Sequence, residues 1–517
     1  MKIPAIPTLL PTLALALAIT APLAVADEAP RLNIVLLYAD DLGYGDLGCY
    51  NPDSKIPTPH LDRLATEGLR FTDGHSSSGV CTPSRYALLT GRAHWRDFHW
   101  IDRGFDPPFF KPDQLTMGEM LRRHGYATAC IGKWHLGNDW DSIRKPGTPE
   151  DSIQHTDFDW TKPLRGGAND HGFDYYFGDN VINFPPYTWI ENGRVLRAPD
   201  MTYSREDFTA IHGSPPEGGW ECRPGPGLAD WDFYQVLPTL TEKAVEYIHS
   251  RKDKAEPFFL YFPLPSPHTP IVPNAAFEGT SEAGPYGDFV VETDDSCGQL
   301  LAALRETGLD ASTIVIFTAD NGSEYFAYAR DQKFGHWSSA PLRGLKRDIY
   351  EGGHRVPTII KWPGVTEPGS VTDALFSQVD FMATLAGYLG FDLPRDSAED
   401  SYDFWPYLSG QADEPPRTTL IHNTMAGQYA IRDGDWLLVN HRTGVVGGDR
   451  RQPPPAWMEK HGVPPYQDNQ EVGLYDLGED VGQRHNLAEE QPQRVAEMRA
   501  LLEEIRERGF SAPRLFE

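Results

Sequence analysis

The run Asn33-Ile34-Val35-Leu36-Leu37-Tyr38-Ala39 is apolar from its second residue onward and stops abruptly at Asp40-Asp41. A stretch this short, with no polar alternation, suits a strand buried on both faces, which a parallel sheet covered by helices provides. The chain then supplies the helices. Thr58-Pro59-His60-Leu61 reads as a helix start, with Thr58 at the N-cap and Pro59 in the first position. A helix over Leu115 to His124 precedes a strand from Tyr126 to Ile131. An amphipathic helix over Leu237 to Arg251 precedes the strand Pro257 to Phe262, and a long helix over Tyr286 to Thr307 precedes Ser312 to Thr318. Alternation of this kind predicts an α/β fold with a mostly parallel central sheet flanked by helices. Beyond about residue 405 the texture changes to a hairpin over Tyr429 to Val439, a short strand at Gly473 to Leu477 and a closing helix over residues 490–508. We therefore expect a main domain over residues 27–404 and a smaller antiparallel α+β unit over residues 405–517.

Residues 1–26 read as a secretory signal: Lys2 gives a positive start, Leu9 to Ala21 an apolar stretch, and Ala24-Val25-Ala26 a small-residue cleavage site. No later segment approaches the roughly 20 apolar residues of a membrane span. The expectation is a periplasmic or secreted protein without a membrane span. The net charge of −28 disfavours nucleic acid and anionic surfaces, and would repel a polyanionic substrate unless its pocket is locally basic. The five cysteines, Cys49, Cys81, Cys130, Cys222 and Cys297, match no zinc spacing. With Cys81 set aside, the other four could form two, one or no disulfides.

Chemistry-bearing residues follow the predicted strands. Asp40 and Asp41 end the first, Lys133 and His135 the third, His268 the Phe258–Phe262 strand, and Asp320 and Asn321 the Ile314–Phe317 strand. Ligand sites in open α/β sheets lie beyond the carboxyl ends of strands, so these four ends predict one converging site. Asp40, Asp41, Asp320 and Asn321 offer only oxygens, which suits Ca²⁺ or Mg²⁺ rather than zinc. Arg85, Lys133 and Lys346 supply cations able to stabilise charge on an anionic ester. Cys81-Thr82-Pro83-Ser84-Arg85 is an unusual setting for an ordinary thiol.

That pentapeptide, inside Gly79 to Arg92, resembles the signature of type I, formylglycine-dependent sulfatases of the alkaline phosphatase superfamily. Further segments are similar to the family in its order: Asn33 to Gly43, Gly125 to Gly137 with Lys133-Trp134-His135, Thr318 to Gly322, Leu342 to Lys346 with Tyr350 to Pro357, and Leu474 to Leu477 with His485 to Ala488. The resemblance implies an alkaline phosphatase-like fold and an enzyme that hydrolyses sulfate monoesters. It implies that Cys81 is converted to formylglycine (3-oxoalanine) by a formylglycine-generating enzyme, and that Asp40, Asp41, residue 81, Asp320 and Asn321 bind one Ca²⁺. It further implies that Arg85 holds the hydrated aldehyde, that Lys133, His135, His268 and Lys346 grip the sulfate, that His268 donates the proton to the leaving oxygen, and that His135 removes a proton from the hydrate. The substrate it implies is a sulfated small molecule or glycan, with galactose or N-acetylgalactosamine sulfates favoured.

The chain departs from the family in two places. Val181 and Asn183 stand where many members carry serine and aspartate ahead of Pro185-Pro186-Tyr187, and His354 stands where valine is frequent. Asn183, His171, His336 and His354 are the candidates for substrate selection. Two other readings are a phosphonate monoester or phosphodiester hydrolase of the same superfamily and a non-catalytic glycan-binding relic. The export signal and the Lys-Trp-His segment weigh against the first, the intact polar set against the second.

Overall fold

The computed structural model describes residues 31–425, 427–446, 452–465 and 470–516, together with residues 1, 2 and 4; the export signal read at residues 1–26 otherwise lies outside the described residues. The architecture lies within Leu32–Glu517. Its centre is a ten-stranded sheet. In chain order the strands are β1 (Asn33–Ala39), β2 (Leu69–Phe71), β3 (Ala127–Ile131), β4 (Tyr175–Gly178), β5 (Ile190–Glu191), β6 (Arg194–Val195), β7 (Phe258–Pro263), β8 (Thr313–Ala319), β9 (Thr358–Lys361) and β10 (Ser370–Thr372). Across the sheet they run β10-β2-β9-β8-β1-β7-β3-β4-β5-β6. The central block β8-β1-β7-β3-β4 is parallel throughout, while β9 is antiparallel to both its neighbours and β5 and β6 close the other edge as antiparallel strands.

Burial on both faces follows from the unbroken apolar runs. Val35, Leu37 and Ala39 face one core with Leu260, Phe262, Val315 and Phe317, whereas Ile34, Leu36 and Tyr38 face the other with Phe259, Tyr261, Ile314 and Ile316. That is the two-residue period of a strand, with apolar side chains at every step. Helices α1 (Pro59–Glu67), α4 (Val236–Ser250) and α5 (Gly284–Thr307) bury Leu61, Leu64, Leu240, Phe289 and Leu300 in the first core. Helices α2 (Cys81–Thr90), α3 (Met117–Arg123) and α6 (Asp380–Leu389) bury Tyr86, Leu88, Met120 and Phe381 in the second.

One local expectation changes. Thr58 does precede α1, but its hydroxyl accepts from Gly48 N and donates to Asp62 instead of capping the helix. The exposed amides of that first turn go to Asp294 of α5, whose carboxylate accepts from His60 N and Leu61 N. A separate four-stranded antiparallel sheet, β11 (Thr419–Asn423), β12 (Tyr429–Asp433), β13 (Trp436–Val439) and β14 (Gly473–Asp476), packs against helix α7 (Pro492–Arg508). The five cysteines are free thiols. Among the described residues no helix is long and apolar enough to cross a membrane.

Candidate active site

The parallel strands β1, β3, β7 and β8 end side by side, so the residues after them meet. Turning the chain sharply at these ends requires unusual backbone. Asp41 (φ 62) and His135 (φ 54) both sit in the left-handed region, which costs a non-glycine residue on the order of 1 kcal/mol and is characteristic of functional sites. Gly132, just before Lys133, has φ 131, and a Cβ there would lie 2.1 Å from Pro263 O at the end of β7. A Cβ on Gly322 would lie 1.9 Å from Gly352 O. Both positions admit only glycine because two backbones approach without room for a side chain.

Cys81 is the first residue of α2, where backbone N–H groups and the helix dipole favour negative charge. The helix is stitched to the end of β3: Arg85 Nη1 donates to Lys133 O (3.2 Å), and Thr82 Oγ1 donates to His135 O (3.0 Å). Around residue 81 three buried carboxylates oppose three buried cations. Arg85 Nη2 lies 2.7 Å from Asp320 and 3.5 Å from Asp40, Lys133 is paired with Asp40, and Lys346 Nζ lies 2.6 Å from Asp41. Cys81 Sγ is 3.5 Å from Asp40 Oδ1. Burial opposes charge on Asp40, but Lys133 above all, with His268, Arg85 and Lys346, holds its carboxyl well below the usual carboxylate range. Asp320 goes the other way, pushed up to about 7 by burial and by Asp40 against the pull of Arg85. The cluster thus carries a carboxylate that its own cations do not fully accommodate.

That is one reason the donor set fits a hard divalent cation. A second is Asn321. Its Nδ2 donates to Asp41 Oδ1 (2.7 Å), while its Oδ1 is buried with no donor. A buried orphaned amide oxygen beside three carboxylates fits the oxygen-rich coordination of Ca²⁺ or Mg²⁺. Asp40, Asp41, Cys81 and His268 also present ligand atoms that all lie within 4.8 Å of one another.

The two site histidines hold opposite tautomers. His135 Nε2 lies 3.0 Å from Asp102 O, and a carbonyl only accepts, so Nε2 carries the proton and Nδ1 is bare and buried without a partner. His268 Nδ1 lies 2.6 Å from Thr269 O, which places its proton there and leaves Nε2, 3.7 Å from Asp41, as the free nitrogen. Burial pushes His268 down to about 4 and His135 well below the usual imidazole range, so both are neutral at pH 7. The Cys81 thiol is pushed far up, by burial first and then by Asp320. An unmodified Cys81 is therefore a poor nucleophile at neutral pH, because only a thiolate attacks.

Cys81, His135, His268 and Lys346 line a cavity of about 230 Å³ whose other polar lining includes Asn183, Arg205, Arg223, Glu324 and Arg347. Of the residues proposed for substrate selection, Asn183 lines this cavity. His171, His336 and His354 do not, and each has a different setting. His171 packs 4.7 Å from the Phe110 ring, His336 Nε2 bonds Asp46 at 2.8 Å, and His354 is buried against His75 and His422. Histidine is polar enough to look functional in a sequence, yet His171 and His336 satisfy internal packing and hydrogen-bonding needs, and His354 belongs to a separate buried cluster.

Several residues in the cavity or supporting the site carry no signature in the sequence. Arg223 places its guanidinium 3.9 Å from the centroid of Phe184 and comes from a loop without recognisable pattern. Glu324 is neutralised by Arg347. Asp102 accepts from Gly104 N and Gly137 N, fixing the loop whose carbonyl orients His135. Asp179 and Asn180 follow β4 with buried side chains lacking partners. Their position after a strand was the available signal.

The family model for sulfatases matches residues 32–391 of this chain. The chain is 32% identical to an N-acetylgalactosamine-6-O-sulfatase of Bacteroides thetaiotaomicron over 521 residues, covering 93% of this chain and 94% of that protein. It is 33% identical to human arylsulfatase A, covering 92% of this chain and 86% of the other. A solved 6S-sulfatase structure, from work on glycosaminoglycan metabolism in Bacteroides thetaiotaomicron, superposes with a TM-score of 0.79 at 30% identity, covering 92% of this chain and 100% of that one.

Proposed function

The chain belongs to the sulfatase family and is a sulfuric ester hydrolase, and from that premise we propose that it is an exported enzyme acting on a sulfated carbohydrate, a galactose or N-acetylgalactosamine sulfate, with formylglycine at position 81 and one Ca²⁺. The observation that carries this reading is the burial of position 81 among Asp40, Asp41, Asp320, Asn321 and three cations, beside a cavity that Cys81 and Lys346 line. Asp40, Asp41, Asp320 and Asn321, together with residue 81, would hold the ion. When present, the ion and the hydrated aldehyde supply an activated oxygen nucleophile and neutralise charge on the sulfate.

The chain's own groups do the rest. Lys346 and Lys133 place buried ammonium groups at the site, where they act most strongly on charge developing at the ester. His268 Nε2 is the nitrogen free to meet the leaving oxygen; the arriving anion favours the imidazolium, so Nε2 takes a proton from solvent and passes it to the leaving oxygen. His135 Nδ1, bare and buried, is the acceptor for the proton released from residue 81. Arg85 fixes Asp320 and the end of β3 relative to α2. Arg205 and Arg223 add positive charge at the cavity, giving the local basicity that a sulfated substrate needs on a chain of net charge −28. The sulfated-sugar reading draws on the names of the relatives, and the arginines are consistent with it.

Mass spectrometry of the peptide spanning residue 81, from protein made in its native host, tests the modification; an intact cysteine overturns that part. Rates on galactose 6-sulfate, N-acetylgalactosamine 6-sulfate, 4-nitrophenyl sulfate and 4-nitrophenyl phenylphosphonate test the substrate. Fastest turnover of a sugar sulfate is expected. A preference for the phosphonate would favour the phosphonate hydrolase reading, and no turnover by fully modified protein would favour the binding relic.

A further inference from the structure

Apart from the active site, the described residues contain one other buried group of potential metal ligands: His75, Glu351, His354 and His422. All four side chains are at most 1% exposed, and their ligand atoms lie within 4.8 Å of one another. They come from three distant segments, the short strand Gly74–His75, the turn of helix Glu351–His354, and β11 of the antiparallel sheet.

The hydrogen bonds around the group leave an unresolved conflict. His75 Nε2 lies 2.8 Å from Asp73, and His354 Nε2 lies 3.4 Å from Ile349 O. Both partners are acceptors, so both rings carry their proton on Nε2 and turn a bare Nδ1 inward. Those two Nδ1 atoms are 3.1 Å apart. Two lone pairs at that distance repel unless something positive lies between them. Beside them, both ring nitrogens of His422 and Oε1 of Glu351 are buried without partners. Four acceptor positions thus converge where buried polar atoms are normally satisfied.

We propose that His75, His354, His422 and Glu351 form a second metal site, structural in role and taking a borderline transition ion of the Zn²⁺ class. Three imidazoles and one carboxylate match the ligands and number that zinc takes, whereas Ca²⁺ requires mostly oxygens. The Asp73–His75 pair is the usual outer carboxylate that orients a metal-bound histidine. Asp73 and Glu351 Oε2 are in turn held by Arg355 and Arg432 at 3.1 to 3.4 Å. These two arginines disfavour an incoming cation, which makes neutral nitrogen ligands, rather than carboxylates, the main source of affinity. The His354 and His422 rings stack with centroids 3.6 Å apart and 13° between planes. Parallel rings cannot aim two lone pairs at one ion, so His422 must tilt out of the stack on binding. The ion would clasp β11 to the segment leading to Cys81, where Ser76 N already donates to His354 O and Arg347 N to Gly79 O.

The test uses full-length protein without a histidine tag, expressed with added Zn²⁺ and dialysed into Ca²⁺-containing buffer. Elemental analysis should find about one equivalent of zinc, as an ion held by four buried ligands is retained through dialysis. His422→Phe, which keeps a stacking ring, should lower it at least about tenfold, while Asp320→Asn at the other site should leave it unchanged. Co²⁺ added to chelator-treated wild-type protein should give the visible bands of a tetrahedral nitrogen-rich site, a readout that does not depend on any variant folding. Absence of both zinc and the Co²⁺ bands overturns the proposal and leaves a shared proton between His75 and His354. Zinc lost from Asp320→Asn but kept by His422→Phe overturns it equally, by placing the metal at the active site.

Discussion

His135 and His268 differ in tautomer because one meets a carbonyl through Nε2 and the other through Nδ1, and this leaves Nδ1 bare on the first and Nε2 on the second before any substrate is considered. Under the proposed mechanism, replacing His268 with alanine removes the proton donor to the leaving oxygen, and kcat should fall by about 10²- to 10⁴-fold with little change in the melting temperature; an unaltered kcat would remove His268 from proton transfer. Cys81→Ser can form a sulfate ester but has no second hydroxyl to expel it. Intact-protein mass spectrometry should find the serine variant trapped as the sulfate ester, and multiple turnovers by it would refute release through a geminal diol. At the cavity, Arg223 rests on Phe184 and is free to contact an anionic substrate. Arg223→Ala should raise KM for a sulfated sugar by about tenfold, the value of one charge-assisted contact, with kcat nearly constant. Equal loss in KM and kcat would instead assign it to positioning the reacting ester.

Strands and helices position these groups with little tolerance. At Gly132 both the φ of 131 and the 2.1 Å approach to Pro263 O exclude a side chain, so Gly132→Ala should cost about 3 kcal/mol in urea unfolding and displace Lys133. Asp294 illustrates how one element caps another. Burial pushes its carboxyl up to about 7 while it accepts the first amides of α1. A folded pKa above the unfolded value means that the proton's stabilisation is complete below about 4 and lost as pH rises through about 7. The stability difference between wild type and Asp294→Asn should therefore shift against the wild type as pH rises from 5 to 7, then level off; a pH-independent difference would show that the group does not titrate there. The strands were legible in the sequence because an apolar run such as Ile34 to Ala39 has few alternatives, and the residues just after the strands converge because parallel strands end together. Asp102 and Arg223 were not legible. They reach the site from loops held by long-range contacts, such as Arg223 N on Asn183 O, and no local pattern encodes those. His336 looked available in the sequence only because its partner Asp46 lies 290 positions away along the chain.

On the scale of the whole molecule, 74 acidic residues face 46 basic ones, and the basic side chains that matter for chemistry are buried in matched pairs. The unbalanced charge is therefore mainly at the surface, where mobile ions screen it within about 10 Å at 0.1 M salt. The melting temperature should rise by a few degrees between 0.02 and 0.5 M NaCl as self-repulsion falls, and a fall over that range would mean that exposed ion pairs dominate instead. The 3% exposure of Cys81 in the finished fold has a consequence in time as well as in chemistry. An enzyme that oxidises this side chain must surround it, and a residue held at the start of α2, reached only through a narrow cavity, offers another protein's active site nothing to surround. Under the proposed modification, conversion has to happen while the chain is still open, so folding is the deadline for maturation. Each molecule that closes too early is committed to remaining inert, and a maturation enzyme added to folded, unconverted protein should leave it so, while a peptide spanning residues 75–95 should be converted.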